Sequence, residues 1–306
     1  MASQLVELSN ALATATEQAA ANVVAVHSES RGSASGVIWR TGVIVTSEHA
    51  LRRDEDIRVA LADGRVAQAT LVGRDPSTDL AVLKCADATN AIANANTGDP
   101  ATLKPGALIL AVGRTRASGP VAAFGAVSLV APERKTWTGV SLSPYVRLDV
   151  SVQPTAIGGA VIDAAGKIFG VITPRFGRFG STLTPASTVN SVVDTLLEKG
   201  RIPRGYLGVG LQPVRVPESL RQSLQREERT AVIVLEIEPN SPANRAGLMI
   251  GDIIVSLSGN NVSRLEDIHS RLHSSAIGKP LAIGFVRGGE LQQAEITIAE
   301  RPHGGE

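Results

Sequence analysis

Residues 148–173 read LDVSVQPTAIGGAVIDAAGKIFGVIT, in which the apolar runs AVI and IFGVIT stand on either side of a glycine-containing turn. Runs of the same kind, short and rich in valine and isoleucine, recur from about residue 22 to residue 185. Clusters of Gly, Pro, Asp and Asn separate them, and no helical period intervenes. Short strands at regular spacing are typical of antiparallel barrels and sandwiches. The sequence therefore predicts a mainly β first domain.

Helical periodicity is found on both sides of this block. An alanine-rich helix is predicted over residues 3–20, with Leu5, Leu8 and Leu12 on one side. Apolar residues recur at helical spacing over 186–200, where the final glycine supplies a C-cap. A second block of strands with two short helices follows. The predicted organisation is an N-terminal helix at 1–20, a first domain at 21–200 and a second domain at 201–306.

Composition excludes several classes of protein. The chain has 306 residues, a formal net charge of +1 and 43% hydrophobic residues, which excludes an intrinsically disordered chain. Lysine and arginine are scattered and aromatic residues are few, so nucleic acid is not an expected partner. The only cysteine, Cys85, lies in an apolar run and cannot form an intrachain disulfide. The histidine spacings predict no metal site, and no cofactor is expected.

The N-terminal residues MASQLVELSNALATATEQAAANVVAVHS contain neither a basic start nor an uninterrupted apolar core. They therefore predict no signal peptide and no membrane span. As the chain stands, a cytoplasmic location is expected. If a leader has been removed, the expected location is periplasmic or otherwise extracytoplasmic.

Three short motifs carry the chemistry of the first domain. His49 lies in VTSEHAL, Asp79 lies in DPSTDLAVLK, and Ile157 lies in TAIGG. The order His, Asp, nucleophile is one of the orders in which Ser-His-Asp triads occur. In a triad the histidine takes the proton of the serine hydroxyl, and the aspartate orients the imidazole. Isoleucine has no such proton, so the third member of this triad is missing.

Around these motifs the chain resembles the HtrA/Deg family of trypsin-like serine endopeptidases with a C-terminal PDZ domain. The segments that carry the resemblance are SGVIWRTGVIVTSEHAL, DPSTDLAVLK, LDVSVQPTAIGGAVIDAAGKIFGVIT and STLTPASTVNSVVDTLLEKGRIPRGYLGV. They are collinear, and the resemblance extends from about residue 20 to residue 300. It implies a mainly β fold, a trypsin-like double β-barrel followed by a PDZ domain, which is a partly opened β-barrel with two helices.

The nucleophile loop departs from the family pattern. Gly-Asn-Ser-Gly-Gly becomes Thr155-Ala156-Ile157-Gly158-Gly159. Ile157 removes the nucleophile, and Thr155 replaces the glycine whose N–H completes the oxyanion hole of the family. A β-branched threonine resists backbone angles that are open to glycine, so we expect a misshapen hole. Together these changes predict a degenerate protease.

Other interpretations of these residues stay open. Thr155 and Ser151 are the only nearby hydroxyls and could act as unusual nucleophiles, although both are displaced from the expected position. His49 and Asp79 could persist as a structural hydrogen-bonded pair, keep a residual catalytic role, or not pair at all.

Residues 239–262, PNSPANRAGLMIGDIIVSLSGNNV, resemble the core of a PDZ domain. In such domains a loop offers consecutive backbone N–H groups to the terminal carboxylate of a peptide, and the adjoining strand accepts the peptide as an added strand. Here that loop matches Tyr206, Leu207, Gly208 and Val209, and the resemblance makes Leu207 and Val209 the floor of the pocket.

A predicted helix at 264–274 would form the other wall of the groove. Leu265, Ile268 and Leu272 lie on one face of it. Most of that face is interpreted as core, and Ile268 and Leu272 are the candidates to line the pocket for the last side chain of the ligand. The alternative is a domain that only packs against the barrels.

Two functions of different classes follow. The first is a proteolytically inactive HtrA-like pseudoprotease that binds peptide C-termini or unfolded protein segments through its PDZ domain, in a scaffolding, chaperone or regulatory role. The alternative is an active HtrA-type serine endopeptidase of protein quality control, which rests on the resemblance and on His49 and Asp79. Ile157 favours the first. A third possible function is that of an inactive subunit that modulates an active relative in a mixed oligomer. The resemblance also implies a homotrimer.

Overall fold

The structure, a computed structural model, describes residues 2–29, 32–89, 97–135, 141–173 and 181–302. It divides into two compact units, the first ending at Ile202 and the second beginning at Pro203. Each unit contains its own clusters of buried apolar side chains. Among the helices of the described ranges, none is both long and apolar enough to cross a membrane.

The first unit begins with a helix and a closed six-stranded antiparallel barrel, in the strand order β1-β2-β3-β6-β5-β4. The helix is α1 (Ala2–Ala20), and the strands are β1 (Val23–Glu29), β2 (Gly32–Arg40), β3 (Val43–Ser47), β4 (Ile57–Ala60), β5 (Val66–Asp75) and β6 (Leu80–Lys84). Valine and isoleucine are frequent in these strands because branched side chains fit a pleated, half-buried surface. Pairing of β1 with β4 closes the barrel.

A second closed barrel follows, in the order β11-β14-β13-β12-β7-β8. Its elements are β7 (Leu108–Thr115), β8 (Gly119–Ala131), β11 (Tyr145–Asp149), β12 (Ala160–Ile162), β13 (Ile168–Thr173) and β14 (Ser181–Pro185), with a two-stranded ribbon of β9 (Arg134–Lys135) and β10 (Ser141–Leu142) between β8 and β11. The apolar runs on either side of the 163–167 turn are the paired strands β12 and β13. The predicted double barrel is confirmed.

Two helices pack on one apolar cluster that includes side chains of both barrels. The predicted C-terminal helix is confirmed as α2 (Ala186–Lys199), and Gly200 ends it in the left-handed region with its N–H donated to Leu196 O at 2.8 Å. The helix α1 is confirmed as well. It packs through Ala15 and Ala19 and through the partly buried Leu12, whereas Leu5 is 69% exposed. Alanine allows the helix backbone to approach the barrels closely, so its small residues form the buried side.

The second unit is an open sheet in the order β16-β17-β18-β20-β21, with short helices beside it. The strands are β15 (Gly205–Tyr206), β16 (Val209–Arg215), β17 (Thr230–Ile237), β18 (Ile253–Leu257), β19 (Asn260–Asn261), β20 (Pro280–Arg287), β21 (Glu290–Thr297) and β22 (Ala299–Glu300). The helices are α3 (Glu218–Ser223), α4 (Pro242–Arg245) and α5 (Leu265–His269). Strand β16 therefore lies at one edge of the sheet.

The helices of this unit differ from the prediction in number and in length. Helix α3 was not predicted, because six residues beginning after a proline give too short an apolar period to recognise. The helix predicted over 264–274 is only α5, which ends at His269. Beyond it the chain tightens, since Leu272 N donates to His269 O, three residues back. The Leu272 carbonyl accepts from Gly205 N at 2.9 Å, and this bond to β15 replaces a further helical bond.

Candidate functional site

His49 and Asp79 come together because their strands are neighbours. His49 follows β3, which ends at Ser47, and Asp79 precedes β6, which begins at Leu80. Ser47 and Leu80 are paired across the sheet. The Nδ1 atom of His49 lies 2.7 Å from Asp79 Oδ1 and 2.8 Å from Asp79 Oδ2. The backbone N–H of His49 also donates to Asp79 Oδ1 at 3.1 Å. The two triad-like residues therefore form a hydrogen-bonded pair, and the imidazole ring remains partly exposed.

The Asp79 carboxylate is fully buried and is held by several donors. Ser47 Oγ donates to its Oδ2 atom at 3.0 Å, and Thr173 Oγ1 donates to the same oxygen. Burial acts to raise the pKa of Asp79, but the hydrogen bonds from His49 and Thr173 outweigh it and hold the pKa below its ordinary value. The residue also has a φ of 57°, an unusual backbone for a residue other than glycine. The carboxylate is thus a fixed negative charge that orients the ring of His49.

The nucleophile loop, residues 153–159, contains a single turn of 3₁₀ helix at Pro154–Ala156. Ala156 N donates to Gln153 O at 2.9 Å, and Ile157 N donates to Pro154 O at 3.3 Å. In a trypsin-like site the N–H of the nucleophile residue is one of the two donors that stabilise the oxyanion. Here the N–H of Ile157 is used inside the turn.

Other backbone groups of the nucleophile loop are also hydrogen-bonded to the rest of the first unit. Ser35 N donates to Ile157 O at 2.8 Å, and Ser35 Oγ donates to Thr155 O at 2.6 Å. The next residue, Gly158, has a φ of 82°, and its N–H donates to Ile172 O at 3.1 Å. The loop is therefore tied down on both sides by backbone hydrogen bonds.

Thr155, the neighbouring hydroxyl residue, makes no hydrogen bond to His49 through its side chain in this arrangement. Thr155 Oγ1 is buried and has no hydrogen-bond partner among the residues that the structure describes. A threonine or serine nucleophile needs a general base within hydrogen-bond reach. Ser151 is exposed on the segment that precedes the loop.

The loop at residues 206–209, in the second unit, has the opposite arrangement. Its carbonyls are bonded inward, since Leu207 O accepts from Ala243 N and Gly208 O accepts from Glu238 N, each at 2.9 Å. The N–H groups of Leu207 and Gly208 donate to no acceptor in the described part of the chain. Both residues are buried, and buried N–H groups need a partner. Consecutive N–H groups of this kind can bind a carboxylate.

Side chains around this loop fix its shape. Gly208 has a φ of 75°, and a Cβ there would lie 2.2 Å from the Cβ of Ser241. Tyr206 Oη donates to a carboxylate oxygen of Glu238, and desolvation together with this hydrogen bond raises the pKa of Tyr206 to about 12. The tyrosine hydroxyl is thus held beside the entrance of the loop as a neutral group.

The other predicted groove residues occupy different depths. Ile268 of α5 is fully buried in the core of the second unit, together with Leu207. Leu272 and Val209 are partly buried and pack against that core from its edge. Val209 opens the edge strand β16, so its apolar side chain stands beside the unpaired side of the sheet.

Several residues that shape these sites were not predicted. Ser47 and Thr173 hold Asp79, and Ser35 ties the nucleophile loop to β2. Ser47 lies two residues before His49, in the same VTSEHAL motif, so the sequence could have indicated its role. Thr173 lies 94 residues from Asp79 in the chain, and no local pattern connects them.

Comparison with family models identifies two regions of this chain. Residues 34–171 match the trypsin-like peptidase domain, and residues 205–298 match the PDZ domain. The first match contains His49, Asp79 and Ile157, and the second contains the 206–209 loop.

Curated relatives match across both regions. The probable periplasmic serine endoprotease DegP-like of Brucella suis is 31% identical over 272 residues, which are 87% of this chain and 52% of the relative. Protease Do-like 1, chloroplastic, of Arabidopsis thaliana is 29% identical over 290 residues, 89% of this chain and 64% of the relative. The chain spans about half the length of the Brucella relative.

Solved structures match over nearly the whole chain. The HtrA-type protease AlgW with a decapeptide superposes with a TM-score of 0.73 at 26% identity, covering 95% of this chain and 99% of that one. The serine endoprotease from Yersinia pestis gives a TM-score of 0.71 at 27% identity and covers 95% of this chain and 98% of its own.

Proposed function

This chain belongs to the HtrA/DegP-type serine protease family with a PDZ domain, and we propose that it is a proteolytically inactive member that binds peptide C-termini. The observation that carries the proposal is Ile157. It stands in the nucleophile loop where the family has serine, and it offers neither a hydroxyl nor a free N–H. Loss of the nucleophile in a related kind of enzyme lowers kcat by about 10⁶.

Peptide binding is supported by the 206–209 loop and the strand that follows it. Two N–H groups of the loop have no acceptor among the residues that the structure describes, and the edge strand β16 can accept an added strand. AlgW, a similar structure, has been solved with a decapeptide and with a tripeptide. For this chain we propose a ligand with a free C-terminal carboxylate, exposed on unfolded or trimmed proteins.

The biological role follows from binding without cleavage. A protein that holds C-termini and does not hydrolyse them acts as a scaffold, a chaperone or a regulator of an active relative in a mixed oligomer. The names of its bacterial relatives place those proteins in the periplasm, and an extracytoplasmic location is part of the same proposal. Cell fractionation tests that part.

An active serine endopeptidase is the second candidate, and the intact pair of His49 and Asp79 favours it. The pair needs a partner nucleophile, for which Thr155 and Ser151 are the neighbouring hydroxyls. If the chain is proteolytically inactive, the pair of His49 and Asp79 is a structural connection between β3 and β6 that satisfies a buried carboxylate.

One experiment separates the two candidates. The purified chain is incubated with a fluorophosphonate probe and with casein, and the products are read by mass spectrometry. We expect no covalent label on residues 151–157 and no casein fragments above background. Labelling of Thr155 or Ser151 together with cleavage, both lost in the His49→Ala variant, would establish the endopeptidase.

A further inference from the structure

At the position where a bound peptide would lie, β16 has a glycine in place of a side chain, and a carboxylate of the neighbouring strand lies beside it. Gly210, the second residue of the strand, pairs with Glu236 of β17. A Cβ at Gly210 would lie 2.9 Å from the Glu236 Cβ and 3.4 Å from its Oε2 atom. Because glycine has no side chain, the carboxylate of Glu236 lies over Gly210 of the edge strand β16.

The hydrogen-bond alternation of β16 shows which backbone groups face that edge. Gly208 O accepts from Glu238 N, and Val216 N donates to Arg229 O, so even-numbered residues of β16 bond toward β17 on both sides of the register shift between Gly210 and Leu211. In an antiparallel ladder the residues between them point the other way. Val209, Leu211 and Pro213 therefore face the open edge.

This alternation sets both the register and the length of an added strand. A peptide whose carboxylate is bound at 206–209 runs antiparallel to β16, with its last residue paired with Val209. The third residue from the end then pairs with Leu211. Pro213 has no N–H to donate, so the ladder weakens beyond this point. Recognition is concentrated in the last three or four residues of the ligand.

The penultimate residue of such a ligand pairs with Gly210. Residues directly opposite in a sheet project to the same face, so the penultimate side chain, Gly210 and Glu236 lie in one row across three strands. The last and third-last side chains project to the other face, where Val209 and Leu211 pack against the core. The carboxylate of Glu236 is thus within reach of a long penultimate side chain and of no other ligand residue in this row.

We propose that the groove selects ligands with a positively charged penultimate residue, lysine or arginine, through the carboxylate of Glu236. The proposal rests on the proposed binding of peptide C-termini and names the class of peptide that is bound. Glu236 is exposed and takes part in none of the ion pairs of the described residues. Because position 210 is a glycine, no side chain separates the Glu236 carboxylate from the positively charged penultimate side chain of the ligand.

The test uses the full chain and fluorescein-labelled decapeptides that end in Val-X-Val, with lysine, glutamine or glutamate as X. A fourth peptide carries lysine and a C-terminal amide. Fluorescence anisotropy at low salt should show the lysine peptide bound roughly fivefold more tightly than the glutamate peptide, because exposed ion pairs are weak. The preference should shrink at 0.5 M salt, where charges are screened within a few ångströms.

Two substitutions assign the preference to Glu236. Glu236→Gln should reduce the lysine-over-glutamate ratio to below about twofold, and Glu236→Lys should invert it. The matched control is Glu295→Gln, which removes one exposed carboxylate from β21 at the opposite edge of the same sheet. It should leave the ratio unchanged.

The outcomes separate this inference from the proposed function. Equal binding of the free-acid and amidated lysine peptides would overturn binding of C-termini, and the inference with it. A clear preference for the free acid without discrimination at X would overturn the inference alone. A lysine preference that survives in Glu236→Gln, or disappears equally in Glu295→Gln, would also overturn it.

Discussion

The nucleophile loop at 153–159 and the 206–209 loop share a backbone feature, but they differ in how their backbone N–H groups are used. Each contains a glycine with positive φ, 82° at Gly158 and 75° at Gly208. At both positions a Cβ would lie within 2.5 Å of a neighbouring atom. In the first loop the N–H groups of Ile157 and Gly158 donate inward. In the second loop the carbonyls are bonded, and two N–H groups donate to no acceptor within the described ranges.

The direction of the backbone N–H groups therefore distinguishes the two loops. An anion, whether an oxyanion or a terminal carboxylate, is stabilised by N–H groups that converge on it without other acceptors. The first loop has kept Gly158 and Gly159, while its donor at Ile157 is used in a turn. The second loop retains the arrangement that binds an anion.

The largest expected effect concerns restoration of catalysis in the first loop. Ile157→Ser alone should leave peptidase activity at least about 10²-fold below the triple variant Thr155→Gly, Ala156→Asn, Ile157→Ser, since a missing oxyanion donor costs about 10² to 10³ in kcat. The measurement is kcat/KM on a fluorogenic peptide.

The control for restoration is the triple variant carrying His49→Ala, which should lose the regained activity. If Ile157→Ser by itself matched the triple variant, the oxyanion hole would be intact, and the contrast between the two loops would fail.

The second-largest expected effect comes from substituting the positive-φ glycine of each loop. Gly158→Ala and Gly208→Ala should each destabilise the unit that contains them by about 2 to 4 kcal/mol, from left-handed strain plus overpacking. Only Gly208→Ala should also weaken binding of a free-acid decapeptide, by more than about tenfold, because it displaces the N–H groups. Calorimetry and anisotropy give the two readouts.

Gly259→Ala is the matched control for these substitutions. Gly259 has a φ of 77°, and a Cβ there would meet nothing within 4 Å. Strain alone should cost about 1 to 2 kcal/mol and leave peptide binding intact. Loss of peptide binding in Gly158→Ala would contradict the independence of the two loops.

The smallest effect tests the structural value of the buried pair. The pKa of Asp79 is held below its ordinary value of 3.8, so its carboxylate stabilises the fold above that pH, and the contribution is lost as pH falls through the lowered pKa. Asp79→Asn should therefore reduce the free energy of unfolding by about 1.5 to 3 kcal/mol at pH 7. The difference from wild type should shrink below pH 4.

The comparison substitution is Asp149→Asn, at an exposed position on β11. It should change the free energy of unfolding by less than about 0.5 kcal/mol across the same pH series. An Asp79→Asn difference that stays constant down to pH 2 would show that the charge of Asp79 does not stabilise the fold.

Much of the fold was predictable because local patterns agree with the global structure. The short runs of valine and isoleucine are the barrel strands, and the apolar period ending at Gly200 is α2. A hydrogen-bonded pair of His49 and Asp79 was one of several interpretations that the sequence left open. The structure decides between them, because the pairing of β3 with β6 brings the two side chains together. Helix α5 ended earlier than its apolar period, because the Leu272 carbonyl is bonded to β15 rather than within the helix.

The sequence by itself determined which atoms are present: a hydrocarbon at 157 instead of a hydroxyl, and glycines at 158, 208 and 210. The tertiary structure alone decided where the backbone donors and charges point. The Ile157 N–H donates inward, and the Glu236 carboxylate lies over Gly210. The Leu207 and Gly208 N–H groups have no acceptor in the part of the chain that the structure describes. The physical reason is that hydrogen-bond direction depends on partners distant in the chain, such as Ser35 and Glu238, which only folding brings into contact.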